Sequence, residues 1–243
     1  MSNSYFSFKQ FTVHQERCAM KVGTDGTLLG AWARGGAYIL DIGTGTGLIA
    51  LMMAQRFPEA SVDAIDIDAD ACEQARQNVA ASPFAARIQV HESSLQNYKL
   101  YCPSEDSSLS SLLTPLSSCY DSIVSNPPYF EQSLKAPDVQ RSLARHTDSL
   151  SYRDLLQGVV SHLESGGEFS VIIPFDCRSR FEAEAIMVGL YPSRVCAVKT
   201  TNRKSPRRYL LAFRKHPGEI ETSELIMNSD AYHDLVKDFY LKG

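Results

Sequence analysis

The feature that most constrains this chain is an alternation of short apolar runs with helical patterns between residues 38 and 190. Tyr38-Ile39-Leu40-Asp41-Ile42 reads as a buried strand, followed by a helix over Leu48 to Arg56. Val62 to Asp66 reads as a second strand, followed by a helix over about Ala69 to Ala80 with Asp68 as its N-cap. Arg87 to His91 and Asp121 to Ser125 are the third and fourth strands. A helix over Tyr152 to Leu163, capped by Ser151, then precedes a fifth strand over Phe169 to Ile173. Such alternation implies a parallel sheet covered by helices on both faces. The pattern changes near the end. After a helix around Phe181 to Leu190, Val195 to Thr200 and Tyr209 to Phe213 read as two strands joined by a short polar connection, an antiparallel hairpin.

A core of this size needs neither disulfides nor a metal. The six cysteines among 243 residues are scattered without a CxxC pair, which suits a reducing compartment better than a zinc site or a disulfide framework. No run of 18 apolar residues occurs, and MSNSYFSFKQF lacks the apolar core of a signal peptide, so the expected location is cytoplasmic, with no membrane and no metal partner. The net charge of -4 does not advertise nucleic-acid binding, but phosphate contacts are short-ranged at cellular salt and local clusters matter more. Cys102 to Cys119 holds seven serines and two prolines and reads as a surface loop. Nothing in the sequence sets an oligomeric state.

Asp41-Ile42-Gly43-Thr44-Gly45-Thr46-Gly47 follows the first strand and opens a helix. Glycines there let the backbone turn tightly and approach a ligand near the unpaired N–H groups of a helix start. Alone, such a turn is compatible with NAD, FAD or S-adenosylmethionine. Its GxGxG spacing, with Asp41 two residues before Gly43, departs from the dinucleotide GxGxxG and resembles the first motif of methyltransferases. Together with seven strands and a terminal hairpin, it points to a Rossmann-like methyltransferase fold. That fold is α/β, with a seven-stranded, mostly parallel sheet, a C-terminal antiparallel hairpin and helices on both faces. Residues 1–37 are then an extension packing over the cofactor site, 38–215 the methyltransferase domain, and 216–243 a helical tail packed on it.

Asp66 ends the second strand, where an acid reaches a cofactor's ribose hydroxyls; Asp68, two residues on, is the weaker candidate because it suits the helix cap. After the third strand, His91-Glu92-Ser93-Ser94-Leu95 offers Ser94 as an acceptor for an adenine amino group, with Leu95 against the ring. A solvated turn is the equal alternative for Ser94.

Asn126-Pro127-Pro128-Tyr129 follows the fourth strand, at the edge where open α/β sheets bind ligands. The residue types fit one chemistry. An aromatic amine is a poor nucleophile because its lone pair is delocalised. The Asn126 side-chain oxygen and the Pro127 carbonyl can each accept an amino N–H, favouring the pyramidal nitrogen that forms during attack on a methyl group. Pro127 and Pro128 fix the backbone and remove competing donors. Tyr129 offers a face for stacking, worth about 1–3 kcal/mol per base in single-strand binders. The cofactor implied is S-adenosylmethionine.

The chain resembles the bacterial tRNA1(Val) (adenine-N6)-methyltransferase family over about residues 6 to 215. The resemblance rests on Phe8-Lys9-Gln10-Phe11, Arg17-Cys18-Ala19-Met20-Lys21-Val22-Gly23-Thr24-Asp25-Gly26, Leu29-Gly30-Ala31-Trp32-Ala33, Leu40-Asp41-Ile42-Gly43, Asn126-Pro127-Pro128-Tyr129 and Leu210-Leu211-Ala212-Phe213. The N-terminal block discriminates most, because many amino-methyltransferases share the tetrapeptide. The resemblance implies N6-methylation of adenosine 37, beside the anticodon, with Lys21, Thr24, Asp25 and Gly26 near the methionine end of the cofactor. Residues alone make Thr24-Asp25 only a helix N-cap. Ser94 departs from the family's aspartate.

An anticodon-loop base is already single-stranded, which lowers the cost of extracting it. RNA contacts are expected on the basic run that includes Arg203, Lys204, Arg207 and Arg208, within a segment from Val195 to Lys215 that has no acidic residue. Arg145, with Arg141, His146 and Arg153, forms either a second patch or a solvated face. Competing readings are an rRNA guanine-N2, DNA adenine-N6 or protein glutamine-N5 enzyme, a non-catalytic cofactor- or RNA-binding protein, and a nicotinamide dehydrogenase. The extra domains usual in the DNA and glutamine enzymes have no residues left to form them, and GxGxG spacing disfavours the dehydrogenase.

Overall fold

The computed structural model describes residues 4–18, 20–98, 120–128 and 150–241. A short antiparallel hairpin, β1 (Tyr5–Ser7) and β2 (Thr12–His14), leads to helix α1 (Thr24–Trp32). Then follow β3 (Tyr38–Ile42), α2 (Leu48–Arg56), β4 (Ser61–Asp66), α3 (Ala69–Ala80), β5 (Ile88–Glu92) and β6 (Tyr120–Ser125). The remainder is α4 (Tyr152–His162), β7 (Leu163–Pro174), α5 (Arg178–Met187), β8 (Tyr191–Lys199), β9 (Arg208–Arg214), β10 (Glu221–Ile226) and α6 (Asp230–Val236).

Eight of these strands form one sheet in the order β10-β8-β9-β7-β6-β3-β4-β5. All neighbours are parallel except those of β9, which runs antiparallel to both β7 and β8. The alternating apolar runs therefore form the parallel sheet expected of them, and the terminal hairpin is β8–β9. The sequence reading stops at seven strands. The eighth is β10, paired with β8 from Glu221↔Arg194 to Ile226↔Lys199. It lies in the tail expected to be helical, where helix is confined to Asp230–Val236. An edge strand buries only one side: Glu221 to Glu224 are exposed and Leu225 is buried, so no apolar run announces it.

Two apolar clusters cover the sheet. One packs α1 and α2 with Phe8, Phe11 and the C-terminal Tyr232, Val236 and Phe239. The other packs α4 and α5 through residues such as Leu155, Leu156, Val159 and Phe181. The N-terminal segment is fastened by the amides of α3. Asn78, 1% exposed, accepts from the His14 N–H (2.9 Å) and donates to the carbonyls of His14 and Thr46 (2.8 Å each). Gln74 accepts from the Arg17 N–H. These bonds join β2 to the turn after β3 and bring residues 20–26 to the carboxyl ends of the strands.

Candidate active site

A cavity of about 1120 Å³ opens at those carboxyl ends. It is lined by the turn after β3 (Gly43, Thr44, Gly45, Thr46), the end of β4 (Ile65, Asp66), the turn after β5 (Ser94, Leu95) and Ser125 to Pro128 after β6. The N-terminal segment from Met20 to Gly26 completes it. The space exceeds the usual span of small-molecule sites, about 300–1,000 Å³.

The turn after β3 needs its glycines. Gly43, Gly45 and Gly47 have φ of 69°, 54° and 80°, a region most side chains avoid. A Cβ on Gly43 or Gly45 would meet no atom within 4 Å, so these two positions face open space that a ligand can fill. Gly47 instead lies against Ala75 and outside the lining.

Asp41 sits beneath the turn, not on the cavity wall. It is fully buried, and its Oδ2 accepts from Thr44 Oγ1 (2.6 Å) and the Ala50 N–H (3.1 Å). Burial pushes its pKa up to about 7, against the lowering effect of those two bonds. Neither Asp41 nor Gly47 lines the cavity; both shape the loop that does.

Asp66 does face the cavity. Its Oδ2 accepts from the Gly45 N–H (2.8 Å) and its Oδ1 from the Asp68 N–H (3.1 Å). Asp68 caps α3 by accepting from the Asp70 and Ala71 N–H groups, as its spacing predicts, although it also reaches the rim. Ser94 combines its two readings: it lines the cavity and its Oγ accepts from the Asn97 N–H (3.3 Å), closing a turn. Leu95 is buried against Gly158 of α4 and contributes to the wall.

Asn126, Pro127 and Pro128 share this cavity with Lys21, Thr24, Asp25 and Gly26. A Cβ on Gly26 would stand 4.0 Å from Asn126 Nδ2, which also approaches Met20 Sδ at 3.8 Å. The cap of α1 is Gly23, so Thr24 and Asp25 belong to the first turn of the helix. Asp25 accepts an ion-paired hydrogen bond from Arg208 Nε at 2.8 Å. Two residues assigned from sequence to different ligands thus hold each other, and Arg208 ties the β8–β9 hairpin to the cavity rim. Arg203, Lys204 and Arg207 are exposed on the connection of that hairpin, at the same carboxyl edge. Tyr129 and Arg145, like the serine-rich segment from Cys102 to Cys119, lie outside the described residues.

Sequence reasoning missed Asn78 and Gln74, which secure the N-terminal segment. Their signal was available: polar amides in the middle of a helix, where asparagine is a weak helix former, point to a side-chain partner.

A family model described as the methyltransferase small domain matches residues 28–182. A tRNA1(Val) (adenine(37)-N6)-methyltransferase of Bacteroides fragilis is 47% identical over 250 residues, covering all of both chains. The chain belongs to the tRNA1(Val) (adenine(37)-N6)-methyltransferase family. Another member, from Trichodesmium erythraeum, is 42% identical over 252 residues, again with full coverage of both. The fold of this family member is also found in an Agrobacterium tumefaciens protein described as a predicted O-methyltransferase, with a TM-score of 0.63, 20% identity, and coverage of 88% of this chain and 96% of that one. The cavity described above therefore lies at the carboxyl edge of a methyltransferase fold.

Proposed function

We propose that this chain transfers a methyl group from S-adenosylmethionine to N6 of adenosine 37 in tRNA1(Val), docking the anticodon loop against the carboxyl edge of the sheet. The observation that carries this reading is the meeting of two separate signatures in one cavity. Met20 to Gly26 and Asn126-Pro127-Pro128 are about 100 residues apart in sequence, yet they share the lining. The full-length relatives at 42–47% identity support the choice of substrate.

The cavity suits the cofactor: Gly43 and Gly45 leave room for it, Asp66 presents carboxylate oxygens for ribose hydroxyls, and Lys21 to Gly26 stand beside Asn126 to receive the methionine end. Bound there, the cofactor supplies an electrophilic methyl group on a sulfonium centre. The protein's own part is to orient the amine. Asn126 Oδ1 and the Pro127 carbonyl accept its two N–H groups and favour the tetrahedral nitrogen over the planar one. Pro127 and Pro128 bring no N–H to compete for those acceptors. No general base is needed before transfer, because the cationic product loses its proton readily. In-line placement provides the rest. A cytoplasmic location is part of the same proposal; it is supported by the free thiols of Cys18, Cys72, Cys177 and Cys196.

The test is methylation of unmodified tRNA1(Val) with labelled S-adenosylmethionine, followed by digestion to nucleosides. The expected product is N6-methyladenosine, lost when adenosine 37 is replaced by guanosine; label found only in protein or DNA overturns the proposal. Asn126→Ala should lower the single-turnover rate by about 10²–10³-fold while calorimetry shows cofactor affinity nearly unchanged.

A further inference from the structure

We infer that Phe175 is a stacking platform for an unpaired base next to the target nucleotide; the inference rests on the RNA-methylating function proposed above. Phe175 follows β7 directly. Ile173 is fully buried, yet Phe175, two residues later, keeps 44% of its surface exposed at the carboxyl edge. The ring is not loose. It stacks on buried Tyr209, with centroids 6.0 Å apart and planes 22° from parallel. The Arg178 guanidinium also lies over Tyr209, 4.5 Å from its centroid. An aromatic ring held from behind by another ring presents a flat apolar surface at little entropic cost on binding.

Its neighbours identify the partner. The Phe175 N–H donates to the Arg207 carbonyl (3.1 Å), so the ring stands beside the basic connection that exposes Arg203, Lys204 and Arg207. The next residue, Arg208, reaches Asp25 on the cavity rim. One hydrogen bond and two consecutive residues thus separate the exposed ring from the cavity. Cations for phosphates beside an aromatic face are the pairing by which proteins bind single-stranded nucleic acid, since every base has a π-face. The target adenosine enters the cavity, and the base adjoining it lies on Phe175.

The experiment uses the full chain and unmodified tRNA1(Val). Phe175→Ala should raise KM for tRNA about tenfold or more, leaving KM for S-adenosylmethionine and the thermal midpoint unchanged, and Phe175→Trp should restore tRNA KM. Phe175→Leu keeps apolar bulk without a π-face and should share the alanine defect, which separates stacking from folding. A 2-aminopurine placed beside adenosine 37 in an anticodon stem-loop should be quenched by the wild type and not by Phe175→Ala. Unaltered tRNA KM and quenching in Phe175→Ala, with the wild type active on tRNA, overturns the inference alone. A wild type that methylates no RNA overturns the functional proposal beneath it.

Discussion

At the amino ends of the strands, cations are consumed within the protein. Glu168, 5% exposed at its side chain, receives Arg194 at 2.5 Å and Arg214 at 3.0 Å, with Arg34 at 3.6 Å. The Arg194 guanidinium lies 3.8 Å above the Trp32 ring, and Arg34 reaches on to Glu221 of β10. At the carboxyl ends Arg208 is paired with Asp25, but the hairpin connection turns the same residue types outward. Arg203, Lys204 and Arg207 are exposed, and none of them has a described ion pair. A net charge of -4 conceals this division, because it averages over both ends. One end is built for stability, where a buried charge must be matched. The other leaves charge at the surface, where the proposed function would bring the phosphates of tRNA.

Three variants can break or sharpen this contrast. Removing Glu168 should have the largest effect. Glu168→Ala leaves Arg194 buried without its counter-charge and should cost about 3–5 kcal/mol of stability in urea titrations; a loss below about 1 kcal/mol would mean the network is ornamental. Reversing Arg203, Lys204 and Arg207 to Glu should leave stability and cofactor affinity intact. It should weaken tRNA binding by about tenfold or more and flatten the dependence of affinity on salt. Equal affinity at all salt concentrations would locate the RNA elsewhere. The smallest effect is expected at the pair joining the two functions. Arg208→Gln loses a half-exposed bond to Asp25 and should change stability by about 1 kcal/mol or less. A loss as large as that of Glu168→Ala would erase the distinction between the ends.

The parallel core was legible because its strands are continuous apolar runs closed by turn signals, as at Tyr38–Ile42 and Val62–Asp66. The glycine turn, Asp66 and Asn126-Pro127-Pro128 were legible because their chemistry sits at fixed offsets from strand ends. Other features depend on which surfaces meet. β10 carries two glutamates and a serine and becomes a strand only beside β8. Asp41 and Asp66 both stand near strand ends, yet burial separates a residue beneath the turn from one on the cavity wall. Arg208 looked like its neighbours Arg203 and Arg207 until the fold brought Asp25 to it. Phe175 lies two residues beyond the strand read over Phe169 to Ile173, and only the fold shows its ring exposed.

The bond from the Gly45 N–H to Asp66 has a consequence for timing. The carboxylate is held by two main-chain amides, from the turn after β3 and the turn after β4, with no ligand needed to orient it. Its rotamer freedom is surrendered during folding, not during recognition, so under the proposed function a cofactor ribose would meet acceptors already aimed. Residual affinity for the nucleoside portion of the cofactor should therefore survive changes at Asn126, which follows a different strand.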